Sequence, residues 1–351
     1  MNDEFYIRKT FALAGLALGN TWPNPMVGAV IVKNGEIIGH GFHHKSGQDH
    51  AEIDALKSCQ ESPEGATLYV NLEPCCHNHK QTPPCAQRLI KEKIRKVVIS
   101  NLDPNPAVNG SGIQLLREAG IEVVHGILAH EGEELNEVFF HAQRAKKPFV
   151  HLKLASTLDG KIAHANGESK WITGVEARSM VHQLRGLHQA VIVGAETVRR
   201  DNPKLNVRTS EFKGEQPYRV VFTESGKLPP TADLFKDELK ERTIIYSKAP
   251  LSFDFDPKLT VQINTLEDAL TDLYNRKIIN VFLEGGAKLA ASFLAARAVN
   301  RVSYFINPSF IGNGPSAIGD FGLDGLHDRP TLTKTSFSQV GSDFYITGRI
   351  Y

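Results

Sequence analysis

Short apolar runs alternate with helix-like segments along the first 145 residues. Gly28–Lys33 (GAVIVK) is apolar and stops at Asn34-Gly35, a hairpin signal that makes Glu36–Gly41 its partner strand. Ala66–Asn71 (ATLYVN), Lys96–Ser100 (KVVIS) and Ile121–His125 (IEVVH) predict further strands. Helical spacing falls between them, over Ala51–Ser58, Ala86–Lys93 and Ile113–Ala119, the last closed by Gly120. Strands separated by helices imply a parallel or mixed sheet covered on both faces. The run Phe11–Leu18 predicts a first amphipathic helix. Asp3 and Glu4 precede it, no small-residue cleavage site follows, and it is too short to span a bilayer.

Ala145–Pro148 (AKKP) is a basic turn with a helix-breaking proline, and a second α/β series starts behind it at Phe149–Ala155 (FVHLKLA). Ala190–Val193, Arg219–Thr223, Thr243–Tyr246 and Asn280–Leu283 are its later strands, and Arg301–Ile306 to Phe344–Ile350 predicts antiparallel ones. The expected domains are 1–146 and 147–351, and a chain of 351 residues is long enough for two cores. Forty basic against 39 acidic residues leave a net charge of +1, no electrostatic footprint for nucleic acid or an anionic membrane. Three of the four cysteines, Cys75, Cys76 and Cys85, crowd into one loop. Without a secretion signal, that crowding points to metal rather than disulfides and to the cytoplasm.

The metal chemistry can be built from the residues. His50-Ala51-Glu52 opens a helix, Pro74-Cys75-Cys76-His77 follows a strand, and Pro83-Pro84-Cys85 opens another helix. One imidazole and two thiolates hold zinc in three positions and leave the fourth for water, which such a site brings toward neutral pKa. A neighbouring carboxylate, Glu52, is placed to carry that water's proton to a substrate and then to leaving ammonia. This is what a hydrolytic deaminase requires. The bland alternatives are a surface histidine with a solvated glutamate, or a structural zinc knuckle, which needs four protein ligands. Cys59 is most simply a helix packing residue.

His50-x-Glu52 followed by Pro74-Cys75 resembles the cytidine-deaminase-like zinc enzymes. The long loop ending in Thr82-Pro83-Pro84-Cys85, with Asn24-Pro25-Met26-Val27-Gly28 and Asp103-Pro104-Asn105-Pro106 flanking it, narrows the resemblance to the bacterial riboflavin-biosynthesis deaminase/reductases. The resemblance implies a three-layer α/β/α deaminase domain with Asn24, His43, His77, Lys80, Asp103 and Asn105 lining the substrate pocket. The 76–82 loop carries one residue more than is usual there. Counted back from Cys85, Cys76 takes the ligand position; counted forward from Glu73-Pro74, Cys75 does. Cys75 is preferred, because the proline fixes the backbone before it.

The second half has no GxGxxG after its first strand, which speaks against a dinucleotide-binding Rossmann domain. Gly285-Gly286 at a strand-to-helix turn would let backbone approach an anion, Arg185 and Arg208 could fork onto a phosphate, and Trp171 offers a ring face. Each feature alone is most often only a turn, a solvated arginine or a core tryptophan. In order, though, Lys153–Ala163, Ser169–Gly174, Arg178/His182/Arg185, Gly194–Arg208 and Glu284–Ala287 resemble the reductase half of the same family. That resemblance implies a dihydrofolate-reductase-like α/β fold. It implies that Ala155, Trp171, Thr197, Asp201 and the loop from Gly286 contact NADPH, and that Ser169, Arg185, Leu205, Arg208 and Glu284 contact a ribosyl phosphate, with Lys153 near the reacting sugar.

The expectation is therefore a bifunctional enzyme using Zn2+ and NADPH on small phosphorylated pyrimidines, a homo-oligomer (dimer or tetramer) without nucleic-acid or membrane partners. A nucleic-acid-editing deaminase would need a basic face and stacking aromatics. A degenerate binding module would not need the intact His50, Glu52, Cys75 and Cys85 set. Residues 209–275 carry no assignable chemistry.

Overall fold

Alternate residues of each central strand face opposite helical layers, which is why these strands are apolar throughout rather than every second residue. The computed structural model describes residues 2–76, 84–105 and 109–350, and the chain divides into two compact units, Met1–Lys146 and Lys147–Tyr351.

In the first unit a five-stranded sheet has the order β2-β1-β3-β4-β5, with β1 Gly28–Lys33, β2 Glu36–Phe42, β3 Thr67–Leu72, β4 Lys96–Asn101 and β5 Glu122–His125. β1 is antiparallel to both its neighbours, while β3, β4 and β5 run parallel. Ala29, Ile31, Leu68, Val70, Val97 and Ile99 pack on one face against the helices α2 Ala51–Lys57, α3 Cys85–Lys91 and α4 Ser111–Glu118. Val30, Val32, Tyr69 and Val98 pack on the other, against Tyr6 and Ile7 of α1. Each buried Val, Leu or Ile among them contributes roughly 1.5–3 kcal/mol. Helix α1 spans Asp3–Gly15, earlier than the apolar run Phe11–Leu18 predicts. Asn2 caps its first turn, while Leu16 and Leu18 lie beyond its end and are exposed. Two helices that hydropathy does not signal close the unit, α5 Ala129–Leu135 and α6 Glu137–Ala145.

The second unit has a nine-stranded sheet, β10-β9-β8-β7-β11-β6-β12-β14-β13. Its strands are β6 Phe149–Thr157, β7 Ala190–Gly194, β8 Tyr218–Thr223, β9 Thr243–Ser247, β10 Thr260–Gln262, β11 Asn280–Leu283, β12 Arg301–Asn307, β13 Leu332–Val340 and β14 Asp343–Ile350. Every pairing from β10 to β12 is parallel, and β14 and β13 add an antiparallel hairpin at the edge. Helices α9 Leu266–Asn275 and α10 Ala287–Ala295 cover one face over Val150, Leu152, Ile192, Val281 and Leu283. The other face is covered by α7 Val175–Gly186 over Phe282 and Phe305, and by α8 Ala195–Asp201 over Val191, Val193 and Val221. Strand β13 is exposed along nearly its whole length, and its Phe337 is 67% exposed. Among the described residues no helix is long and apolar enough to cross a membrane.

Candidate active sites

In the first unit, α2 comes down on β2 because Gly39 and Gly41 leave it room. A Cβ at Gly41 would stand 2.4 Å from the Ala55 nitrogen. The helix therefore starts deep in the unit, with His50 as its N-cap and Glu52 in its first turn, buried to 3% exposure. Cys75 follows the end of β3, and Cys85 is the first residue of α3; both thiols are buried. His50 Nδ1 lies 3.6 Å from Cys75 Sγ and 3.3 Å from Cys85 Sγ, and the three ligand atoms all fall within 4.8 Å of one another. Bonds of about 2.0 Å to imidazole and about 2.3 Å to thiolate at a tetrahedral angle put N and S about 3.5 Å apart. The trio therefore fits zinc in both donor chemistry and spacing. The neighbouring Cys76 is half-buried and does not belong to the group.

The electrostatics are those of a crowded, dry pocket. The Cys75 thiol is held far below its ordinary value by hydrogen bonding from the Cys85 thiol, against the effect of burial, with His50 and the Cys85 backbone N–H adding to it. The same pairing and burial push Cys85 up. Burial raises the Glu52 carboxyl, partly opposed by His50.

Of the residues expected around the pyrimidine, the structure gathers two beside the trio. Asn24 Nδ2 donates to His43 Nε2 at 3.1 Å, and His43 Nδ1–H donates to the Asp49 carbonyl at 2.9 Å, which fixes the tautomer. The His43 ring stands edge-on to His50 at 5.7 Å. Asp103 Oδ1 accepts from the Asn105 N–H at 2.8 Å. His77 and Lys80 lie outside the described residues.

Sequence reasoning missed the polar residues beneath this pocket. Asn71 accepts from the Gly28 N–H at 2.8 Å and donates to the Met26 carbonyl at 3.0 Å. Asn136 exchanges two 2.8 Å bonds with Met26, so the segment behind Asn24 is clamped from both sides. Glu73, 4% exposed, accepts four backbone N–H groups. A polar residue inside the apolar strand TLYVNL was the available signal for Asn71.

In the second unit Arg185, near the end of α7, makes a two-pronged ion pair with Glu284, Nε–Oε1 2.5 Å and Nη2–Oε2 3.0 Å, and a third bond to the Asn206 carbonyl at 3.1 Å. Three of its five N–H donors are thus engaged by protein. Arg208 is exposed, and its Nη2 lies 3.5 Å from His182 Nε2. Burial pushes the Lys153 ammonium down; Glu284 opposes that and Arg185 adds to it, which places Lys153 with the pair. Leu205 is 2% exposed with its side chain in the core, so it would offer a ligand its backbone.

Trp171 is 69% exposed rather than core, and the Arg178 guanidinium stacks 4.5 Å from its ring centre. Arg178 is itself held by the Thr173 carbonyl at 2.6 Å. A Cβ on Gly286, the N-cap of α10, would stand 3.9 Å from Thr197 Oγ1. Lys170, next to Trp171, reaches Asp201 at 4.0 Å. Ala155 lies on β6 with its side chain in the layer under α7, and Ser169 is half-buried in the loop before Trp171.

Comparisons with known proteins cover both units. A family model described as the cytidine and deoxycytidylate deaminase zinc-binding region matches residues 1–101, and one described as the RibD C-terminal domain matches residues 148–346. The riboflavin biosynthesis protein RibD of Actinobacillus pleuropneumoniae is 42% identical over 359 residues, covering 99% of this chain and 95% of its own. The Escherichia coli protein of that name is 35% identical over 371 residues, covering 98% of each. Among solved structures, Acinetobacter baumannii RibD (form 1) superposes with a TM-score of 0.90 at 36% identity, covering 99% of both chains. A diaminohydroxyphosphoribosylaminopyrimidine deaminase/5-amino-6-(5-phosphoribosylamino)uracil reductase from Thermotoga maritima does so with 0.86 at 38% identity, again covering 99% of both.

Proposed function

We propose, because this chain belongs to the RibD family of bifunctional riboflavin-biosynthesis deaminase/reductases, that each of its two units carries one of the two half-reactions. Residues 1–146 hydrolyse the 2-amino group from 2,5-diamino-6-(5-phosphoribosylamino)pyrimidin-4-one. Residues 147–351 then reduce the ribosyl side chain with NADPH, giving 5-amino-6-(5-phosphoribitylamino)uracil. The observation that carries the reading is the buried trio His50, Cys75 and Cys85 with Glu52 one turn along α2.

The residues take the following roles. His50 Nδ1 and the Cys75 and Cys85 thiolates hold zinc. Bound there, zinc supplies a nucleophile at neutral pH by acidifying water. The Glu52 carboxylate is buried beside the trio and is not one of its three ligands, so it serves as the proton carrier, first to the ring and then to departing ammonia. Asn24, His43, Asp103 and Asn105 orient the pyrimidine, with His77 and Lys80 completing that set.

In the second unit, a bound nicotinamide would supply hydride chemistry for C1 of the opened sugar. Ala155, Trp171, Thr197, Asp201 and Gly286 orient the cofactor. Ser169, Leu205 and Arg208 bind the ribosyl phosphate, while the Arg185–Glu284 pair fixes Lys153 beside the sugar. The nearly fully exposed edge strand β13 supports a homo-oligomer, with a second copy as its cover. A cytoplasmic location agrees with cysteines used as metal ligands rather than in disulfides.

The test uses zinc-loaded protein with the diaminopyrimidinone and NADPH, following ammonia and cofactor oxidation together. Glu52→Ala abolishes ammonia release while zinc stays bound and the reductase still turns over the deaminated intermediate. Loss of both activities in a folded, zinc-loaded variant would contradict two separate sites.

A further inference from the structure

Glu73 is a buried carboxylate with no basic side chain paired to it among the described residues. Among the described residues its oxygens are held by main chain alone. Oε1 accepts from the N–H groups of Gly112 at 2.9 Å and Ile113 at 3.3 Å, and Oε2 from those of Gly110 at 3.0 Å and Asp103 at 3.3 Å. Helix α4 cannot cap itself, since its N-cap is Gly110, which has no side chain and sits at φ +79°. Glu73 caps it from another element, where a carboxylate also meets the favourable end of the helix dipole.

The approach is as close as backbone allows. A Cβ on Gly112 would stand 2.2 Å from the Pro74 carbonyl oxygen, so the start of α4 rests directly on Glu73-Pro74. Two residues on from Glu73 is the zinc ligand Cys75. At the other end of the clamp is Asp103, whose own side chain turns back to hold the Asn105 N–H at 2.8 Å.

We propose that Glu73 is a positioning residue of the deaminase: its carboxylate fixes the segment Asp103–Asn105 against the backbone that carries Cys75. Substrate loop and metal are thereby set at one separation before the pyrimidine arrives, so orientation is not bought from binding energy. This rests on the reading of the first unit as a deaminase whose pyrimidine meets Asp103 and Asn105. A residue that only stabilised the fold would make the same bonds, so the test must separate the two.

Glutamine keeps the shape of Glu73, but its NH2 would face two N–H donors, which breaks half of the clamp. Aspartate keeps both oxygens on a stem one methylene shorter. Both variants, Glu73→Gln and Glu73→Asp, are made in the full-length zinc-loaded chain, with zinc content, deaminase kinetics and reductase kinetics measured on each. Expected is one zinc per chain, unaltered reductase, a deaminase KM raised by at least about tenfold, and kcat changed much less. Adding Glu73→Gln to Asp103→Ala should raise KM little beyond Asp103→Ala alone, because both act through one segment. The proposal is overturned by an unaltered KM, by zinc and activity falling together, by additive effects in the double variant, or by insolubility of both variants, which would make Glu73 a folding residue only. If the unmutated chain releases no ammonia from the diaminopyrimidinone, the deaminase reading has failed before any variant is compared.

Discussion

Cys75 and Cys76 are adjacent in sequence and differ in nearly everything a metal would notice. Cys75 is buried, within reach of His50 and accepting from the Cys85 backbone N–H at 3.5 Å, whereas Cys76 is half-buried and its thiol is pushed up by burial and by Glu73. Metal analysis should accordingly find one zinc per chain in Cys76→Ser and little in Cys75→Ser; the reverse would move the ligand by one residue. Arg208 is the second case. Arg185 pairs with Glu284, whereas Arg208 is exposed beside His182, and the proposed reductase assigns it the terminal phosphate. Arg208→Ala should raise the reductase KM for its phosphorylated substrate at least tenfold, about 1.4 kcal/mol, and leave the KM for NADPH and the deamination rate unchanged. A defect confined to NADPH would place it elsewhere. His50-x-Glu52 and the cysteine loop are legible in the sequence because zinc chemistry demands particular side chains. Glu73 is not, because its partners are peptide groups, and every residue but proline has one. The engagement of Arg185 is equally invisible, since Glu284 lies 99 residues away.

At the scale of elements, apolar runs located the central strands well, because burial on both faces leaves little polar alternation to misread. They failed where polar sequence forms helix. The helix AHEGEEL shows no apolar stripe and exists because Gly132 brings it against the end of β4, where a Cβ would meet Asn101 Oδ1 at 2.0 Å. Helix α7 and strand β6 share a feature that no periodicity reports. His188 Nδ1 donates to the Leu184 carbonyl at 2.6 Å, its Nε2 lies 3.2 Å from His151 Nδ1, and His151 Nε2 lies 2.7 Å from the Ser303 hydroxyl. Burial disfavours the charged form of both rings, and with both neutral the His151 Nδ1–H donates to His188 Nε2 and Ser303 donates to His151 Nε2. Burial lowers both, with His188 brought to about 4 against the pull of Glu284, and His151 pressed further by His188 and Arg301. The unfolded chain protonates His188 near pH 6.5, while the folded one resists until about 4. The stabilisation is thus complete above pH 6.5 and is lost as pH falls toward 4, roughly 3 kcal/mol for His188 alone. Thermal melts of the second unit's transition should fall steeply over that window, and proton NMR should show two imidazoles still neutral at about pH 5. Two histidines titrating near 6.5 in their place would refute the assignment.

For the whole molecule, the turn at AKKP and the α/β series that restarts behind it signal the boundary in the sequence, and Lys146 ends α6 there in a left-handed conformation at φ +56°, exposed. Separate expression of residues 1–146 and 147–351 should give two soluble pieces, the first binding zinc and releasing ammonia, the second oxidising NADPH. A first piece that keeps zinc but cannot deaminate would show that deamination needs the full chain. The nine-residue strand β13 bears on a different quantity. It is exposed along nearly its whole length and buries little within its own subunit, so it adds little to the free energy that holds one copy together. If a second copy covers it, part of this protein's stability belongs to a pair, and mass action then makes the melting temperature rise with protein concentration. Dilution alone would weaken such a molecule.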